Sequence, residues 1–139
     1  MIQLIKLLSD FGLLILIWII QTIVYPSFSY YSSSELLIWH EKYTHLITFI
    51  VLPLMATQLF SSCYLTYHEF NWVNSIQLIL ILIIWFSTFL QAVPLHNQIA
   101  VGKDLSENII KLVQVNWLRT ILWSIVFLLS FYNSSKELI

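Results

Sequence analysis

Ile76–Val93 reads IQLILILIIWFSTFLQAV, and no residue in it carries a charge. A helix rises about 1.5 Å per residue, so a segment of this length comes close to spanning the ~30 Å hydrocarbon core of a bilayer. Its inner part, Leu78–Phe86, is apolar at every position, whereas a transmembrane β-strand alternates polarity over about 10 residues. The segment therefore predicts a helix. Working outwards, further apolar stretches occupy residues 7–25, 46–67 and 118–132. The connections between them are too short for a separate soluble domain. Residues 1–139 are thus expected to form one domain, an all-α integral membrane protein folded as an antiparallel (up-down-up-down) four-helix bundle.

Composition agrees with that class. The chain is 59% hydrophobic and 9% charged, with a mean hydropathy of +0.84, against about 25% charged residues in ordinary globular domains. The six Lys and Arg residues are scattered singly in a chain of net charge −1, so no basic surface is offered to phosphates and nucleic acid is excluded as a partner. Cys63 is the single cysteine, which removes an internal disulfide and any zinc site built on several thiolates.

Local signals place the helix ends. Pro26 is expected to stop the first span, because its ring clashes with the preceding turn and it has no N–H to donate. That span closes on Tyr25-Pro26 without the small-residue pattern of a signal-peptidase site, which favours a retained helix over a cleaved leader. Ser32 and Glu35 have capping-box spacing, so the second helix should begin before its apolar run and carry WHEKYTH (Trp39–His45) into the membrane, with a kink at Pro53. The third is expected to continue past Pro94 towards Gly102, a residue suited to a helix C-cap. Asp104 and Glu107 offer a second capping box at the start of the fourth.

Lys42, Lys103, Lys111 and Arg119 accompany loops one and three, while Lys6 and Lys136 lie on the other side. The positive-inside rule then puts loops one and three in the cytoplasm and both termini outside.

Polar residues within the spans fall into helical stripes. Asp10, Ile17, Gln21 and Val24 share a face of the first helix; His40, Thr44, Thr48, Met55, Gln58 and Ser62 share one on the second. Trp85, Thr88, Ala92 and His96, with Gln91 adjacent, align on the third, and Asn116, Thr120, Trp123, Phe127 and Ser130 on the fourth. Hydrogen bonding between helices is the ordinary use of such residues, at roughly 0.6 kcal/mol each. That use fits less well at one end of the bundle, where Tyr25, His40, Glu41, Thr44, His45, Gln91, His96, Asn97, Asn116 and Arg119 should gather on the side of loops one and three.

Three chemistries suit that cluster. Neutral imidazoles could ligate a haem or a metal, but His40 and His45 are about 140° apart around a helix, so a pair would need His96, and no HxxxH or ExxH spacing supports a metal. A quinone or small aromatic could lie among Trp, Tyr and Met side chains with His or Arg on its oxygens; the competing role of the aromatics is an interfacial belt. Arg119 could hold an anion or headgroup, or simply snorkel to the interface. On the opposite side Asp10 reads as a carboxylate hidden near the interface, with proton handling as its alternative. His68 and Glu69 read as solvated, and Glu41 with His45 as a surface pair.

YPSF (Tyr25–Phe28), WHEKYTH, VPLHNQ (Val93–Gln98) and NWLRT (Asn116–Thr120) together resemble short bacterial four-span integral membrane proteins over nearly the whole chain. The Pro-polar pattern closing the third helix and the Trp-Arg pattern opening the fourth are similar, more distantly, to the anthrone-oxygenase-like membrane proteins, some of which act on polycyclic aromatic substrates. That resemblance touches Pro94, Asn97, Trp117 and Arg119, and departs at His96, where an asparagine is expected.

The function expected from these features is that of a multi-pass protein of a bacterial inner membrane, binding a small aromatic, quinone-like or redox ligand. His40, His45, His96 and Arg119 are the candidates for catalysis; Asn97, Asn116, Gln91, Thr44 and Trp123 are the candidates for ligand binding. No metal or cofactor is assigned. The bilayer and a small hydrophobic ligand are the expected partners, with a second copy or another membrane protein as further ones. The alternative is a non-enzymatic scaffold or accessory subunit whose polar stripes only pack helices. A transporter is a weaker third, since one copy has little room for two gates.

Overall fold

The computed structural model describes residues 1–136, and among the described residues there is no strand. Four helices are long and apolar enough to cross a membrane: α1 (Ile2–Tyr30), α2 (Ser33–His68), α3 (Trp72–Ala100) and α4 (Leu105–Lys136). α1 packs on α2 and α4, and α3 packs on α2 and α4, so the helices close a ring in which each touches its neighbours in sequence and α4 returns to α1.

Both prolines near helix ends behave alike. α1 does not stop at Pro26: a π-helical turn at Ile20–Val24 precedes it, and the helix runs on through Tyr25–Ser27 into a 3₁₀ turn at Phe28–Tyr30. In α3 a π turn at Thr88–Ala92 precedes Pro94, and the helix continues over Val93–Ala100. A proline cannot donate to the carbonyl four residues back, here Thr22 or Leu90, and its ring crowds that turn. The wider turn relieves the crowding and rotates the helix beyond it. α2 runs as unbroken α-helix through Pro53.

The helix ends follow the sequence in part. Glu35 accepts from the Ser32 backbone N–H at 3.2 Å, the return bond of a capping box, and also from the Ser32 hydroxyl. Gly102, at φ +72, closes α3 with the paired bonds of a Schellman motif: Gly102 N–H donates to Ile99 O at 2.9 Å and Lys103 N–H to Gln98 O at 3.0 Å. The expected second box does not form. Asp104 sits at φ +43, away from the extended backbone an N-cap needs, and Glu107 pairs with Lys111.

Two apolar clusters fill the interior. One joins Ile20, Tyr25, Phe28, Leu36, Tyr43, Ala92, Ile99 and Leu112; the other joins Leu13, Ile17, Met55, Ile81, Ile84, Trp123 and Val126. Large apolar side chains such as Ile23, Phe49, Phe60, Phe86, Leu90 and Leu128 point outwards. An outer surface this apolar is what lipid contact calls for.

Candidate functional site

At the loop-one and loop-three end, the turns rotated by the two prolines bring Tyr25 of α1 and His96 of α3 together. The Tyr25 hydroxyl and His96 Nε2 are joined at 3.0 Å, and His96 Nδ1 is joined to His40 Nε2 of α2 at 2.9 Å. His40 is 1% exposed, and its other ring nitrogen, Nδ1, is buried without a partner. Aromatic rings hold this chain in place. Phe28 packs edge-on to His40 and to Tyr43, each at 5.7 Å between centroids, and Tyr25 packs edge-on to Tyr43 at 6.5 Å.

A second group stands beside it. Asn116 donates from Nδ2 to Gln21 Oε1 at 2.7 Å, Thr120 donates to the same oxygen at 3.3 Å, and Arg119 Nη2 donates to Asn116 Oδ1 at 2.6 Å. Arg119 is only 6% exposed, and its Nε is buried with no partner. Among the described residues the ion pairs are Lys6–Asp10 and Lys111–Glu107. No carboxylate of a described residue therefore lies within ion-pair distance of the Arg119 guanidinium, an arrangement that is costly in a low-dielectric interior.

Both groups face a cavity of about 360 Å³, within the range of small-ligand pockets. Tyr25, Tyr43, Thr44, His96, Asn97 and Arg119 form its polar end, while Leu13, Ile17, Ile20, Ile47, Val51, Met55 and Trp123 are among its apolar walls. The exposed lining residues, Thr48 and Leu52 on α2 and Phe89, Val93 and Asn97 on α3, place the mouth between α2 and α3. The cavity thus opens sideways, onto the apolar outer surface.

Of the residues singled out in the sequence, His40, His96, Asn116 and Arg119 come together here, and Thr44, Asn97 and Trp123 line the cavity. His45 lies elsewhere, exposed with its ring against Phe49. Gln91 is exposed and accepts from Ser87 at 2.8 Å. Tyr43, three positions after His40 on the same face, was not singled out, although the i,i+3 spacing carried the signal.

At the opposite end the structure builds a network that the stripes only hinted at. Asp10 is fully buried and accepts from Lys6 Nζ at 2.7 Å, from Gln58 Nε2 at 2.6 Å and from the Ser130 hydroxyl. Lys6 also donates to Ser130 at 2.6 Å, as does Gln77 at 3.0 Å. All four helices contribute. Trp123 Nε1 donates to Gln58 Oε1 at 3.1 Å, so the network ends on a residue of the cavity wall. The i,i+4 spacing of Lys6 and Asp10 was its readable sign; Gln77 had none. Among the described residues no three His, Cys, Asp or Glu side chains are grouped so as to hold a metal ion.

No family model, curated protein or solved structure matches the chain.

Proposed function

We propose that the chain crosses a bilayer as an up-down-up-down bundle and binds a small, largely apolar aromatic ligand of quinone-like kind, with an oxygen of the ligand set against Arg119, His96 and Tyr25. The observation that carries this reading is Arg119: a buried cation with no carboxylate partner and an unused Nε, at the polar end of a cavity. Burying a charge is sustained when something pairs with it, and an electron-rich oxygen in the cavity would do so. The sideways mouth suits a ligand dissolved in lipid, and the apolar walls suit its body. Asn116 holds the guanidinium in position, and the Tyr25 hydroxyl, itself held by His96 Nε2, offers a hydrogen bond to the same oxygen.

The orientation we propose places loops one and three in the cytoplasm. Lys6, one of the two positive residues on the other side, is buried against Asp10, whereas Lys111 stays exposed although it pairs with Glu107, so the positive bias of Lys42, Lys103 and Lys111 is less opposed.

Binding is measured with 1,4-naphthoquinone as the probe, by saturable quenching of tryptophan fluorescence in purified protein against empty detergent micelles. A hydrogen bond to a charged group is worth about 1.5–3 kcal/mol, so Arg119→Gln should weaken binding by roughly ten- to a hundredfold. His45→Ala, on the outer surface, should leave it unchanged. Absence of saturable quenching in the wild type, or equal behaviour of the two variants, would favour the scaffold role instead.

A further inference from the structure

The hydrogen-bonded chain from Tyr25 through His96 to His40 begins on the cavity wall and ends at a buried ring nitrogen with no partner. Tyr25 and His96 line the cavity; His40 does not. Two imidazoles joined nitrogen to nitrogen share one proton between them, so the chain has two polarities, and one proton entering at Tyr25 converts the first into the second by leaving from His40. Packing aromatics gives the chain its geometry but does not require this arrangement of polar atoms.

A ligand reaching the cavity from hydrocarbon crosses it uncharged, because charge is expensive there. Arg119, in contrast, calls for a negative charge. Both conditions are met by a molecule that arrives neutral and loses a proton on arrival. That proton cannot rest on His96, whose charged and titratable neighbours are the Arg119 guanidinium, the His40 ring and the Tyr25 hydroxyl, since two adjacent cations repel strongly at low dielectric. Movement to His40, which does not line the cavity, separates them.

We propose that the ligand is a weak acid, an apolar body bearing one ionisable hydroxyl, which is bound as its conjugate base while its proton leaves through Tyr25, His96 and His40. This rests on the binding role proposed above and specifies its ligand class. In the step, the ligand O–H bond breaks and its proton passes to the Tyr25 oxygen, whose own proton goes to His96 Nε2. The His96 Nδ1 proton passes to His40 Nε2, and the His40 Nδ1 proton goes to solvent water, which reaches that nitrogen only transiently because the resting structure buries it without a partner. The ligand oxyanion stays paired with Arg119, and no electrons are transferred to or from any group. Dissociation runs the same sequence in reverse.

The probe for this is 2-naphthol, neutral in solution near pH 7, whose absorption shifts when it ionises. Bound to the wild-type protein in detergent it should show the naphtholate spectrum and release about one proton per bound probe, read from binding heats in buffers of different ionisation enthalpy. His96→Gln keeps hydrogen-bonding atoms but cannot pass a proton; its bound probe should show the neutral spectrum with no proton released. A neutral spectrum on the wild-type protein overturns the acid proposal while 1,4-naphthoquinone binding still stands. Naphtholate with undiminished proton release in His96→Gln overturns the relay. If neither probe binds, the binding role fails together with the proposal.

Discussion

Replacing Asp10 with alanine is expected to destabilise the folded protein by about 3–5 kcal/mol, the usual cost of removing one partner from a buried ion pair. Lys6 is 3% exposed, so without Asp10 its ammonium keeps, among the described residues, only the Ser130 hydroxyl as partner. Gln58 and Ser130 lose their acceptor at the same time. Unfolding in detergent, followed by circular dichroism against added denaturant or temperature, measures the loss. The double variant Lys6→Met with Asp10→Leu should recover most of it, because replacing a whole buried pair by apolar groups is often neutral or stabilising. The loss in the single variant and the recovery in the double one, together, identify a charge left without its partner. An Asp10→Ala protein as stable as the wild type would mean that this four-helix network does not form.

Arg119→Met is expected to do something that few substitutions of buried residues do: stabilise the fold while removing ligand binding. A buried cation left without a carboxylate partner costs the bare protein about 3–5 kcal/mol, and its loss leaves Asn116 Oδ1 without its donor, at about 1–3 kcal/mol. The low end of each range gives a net gain of about 2 kcal/mol. Methionine fills the space with little strain. Binding of 1,4-naphthoquinone should fall at least about tenfold in the same variant, the loss of one charged contact. A purely structural arginine behaves oppositely: the variant unfolds more easily, and any loss of probe binding tracks the loss of folded protein.

Much of this architecture is legible from hydropathy alone, because helices long and apolar enough to cross a bilayer stand out as long runs nearly free of charge. Ser32 with Glu35 and Gly102 were readable because capping is local, decided within a few residues. Asp104 was not, since the Schellman turn at Gly102 sets the backbone just ahead of α4 before the side chain can act as a cap. Pro26 was misread for a related reason. The rule that proline ends a helix assumes the preceding turn cannot widen, and Ile20–Val24 does widen. His40 and His96 were legible as a meeting pair from the helix ends they occupy, whereas their nitrogen-to-nitrogen bond depends on the rotation that the π turn at Thr88–Ala92 introduces. His45 illustrates the limit of counting residues at one end of a helix: five positions from His40, it is carried around to the outer face. Lys6 illustrates another, because a charge counted as a topological flank is in fact folded inward onto Asp10.

The helices must place Tyr25, His40, His96 and Arg119 at one membrane face for the cavity to exist as a ligand site. Single cysteines introduced into a Cys63→Ser background at Tyr31, at Lys103 and at Asn71 test this in intact membranes with an impermeant thiol reagent. Labelling of positions 31 and 103 from one side and of position 71 from the other is the outcome expected. Labelling of 31 and 103 from opposite sides would separate His40 from His96 by the thickness of the bilayer, and the ligand site with it.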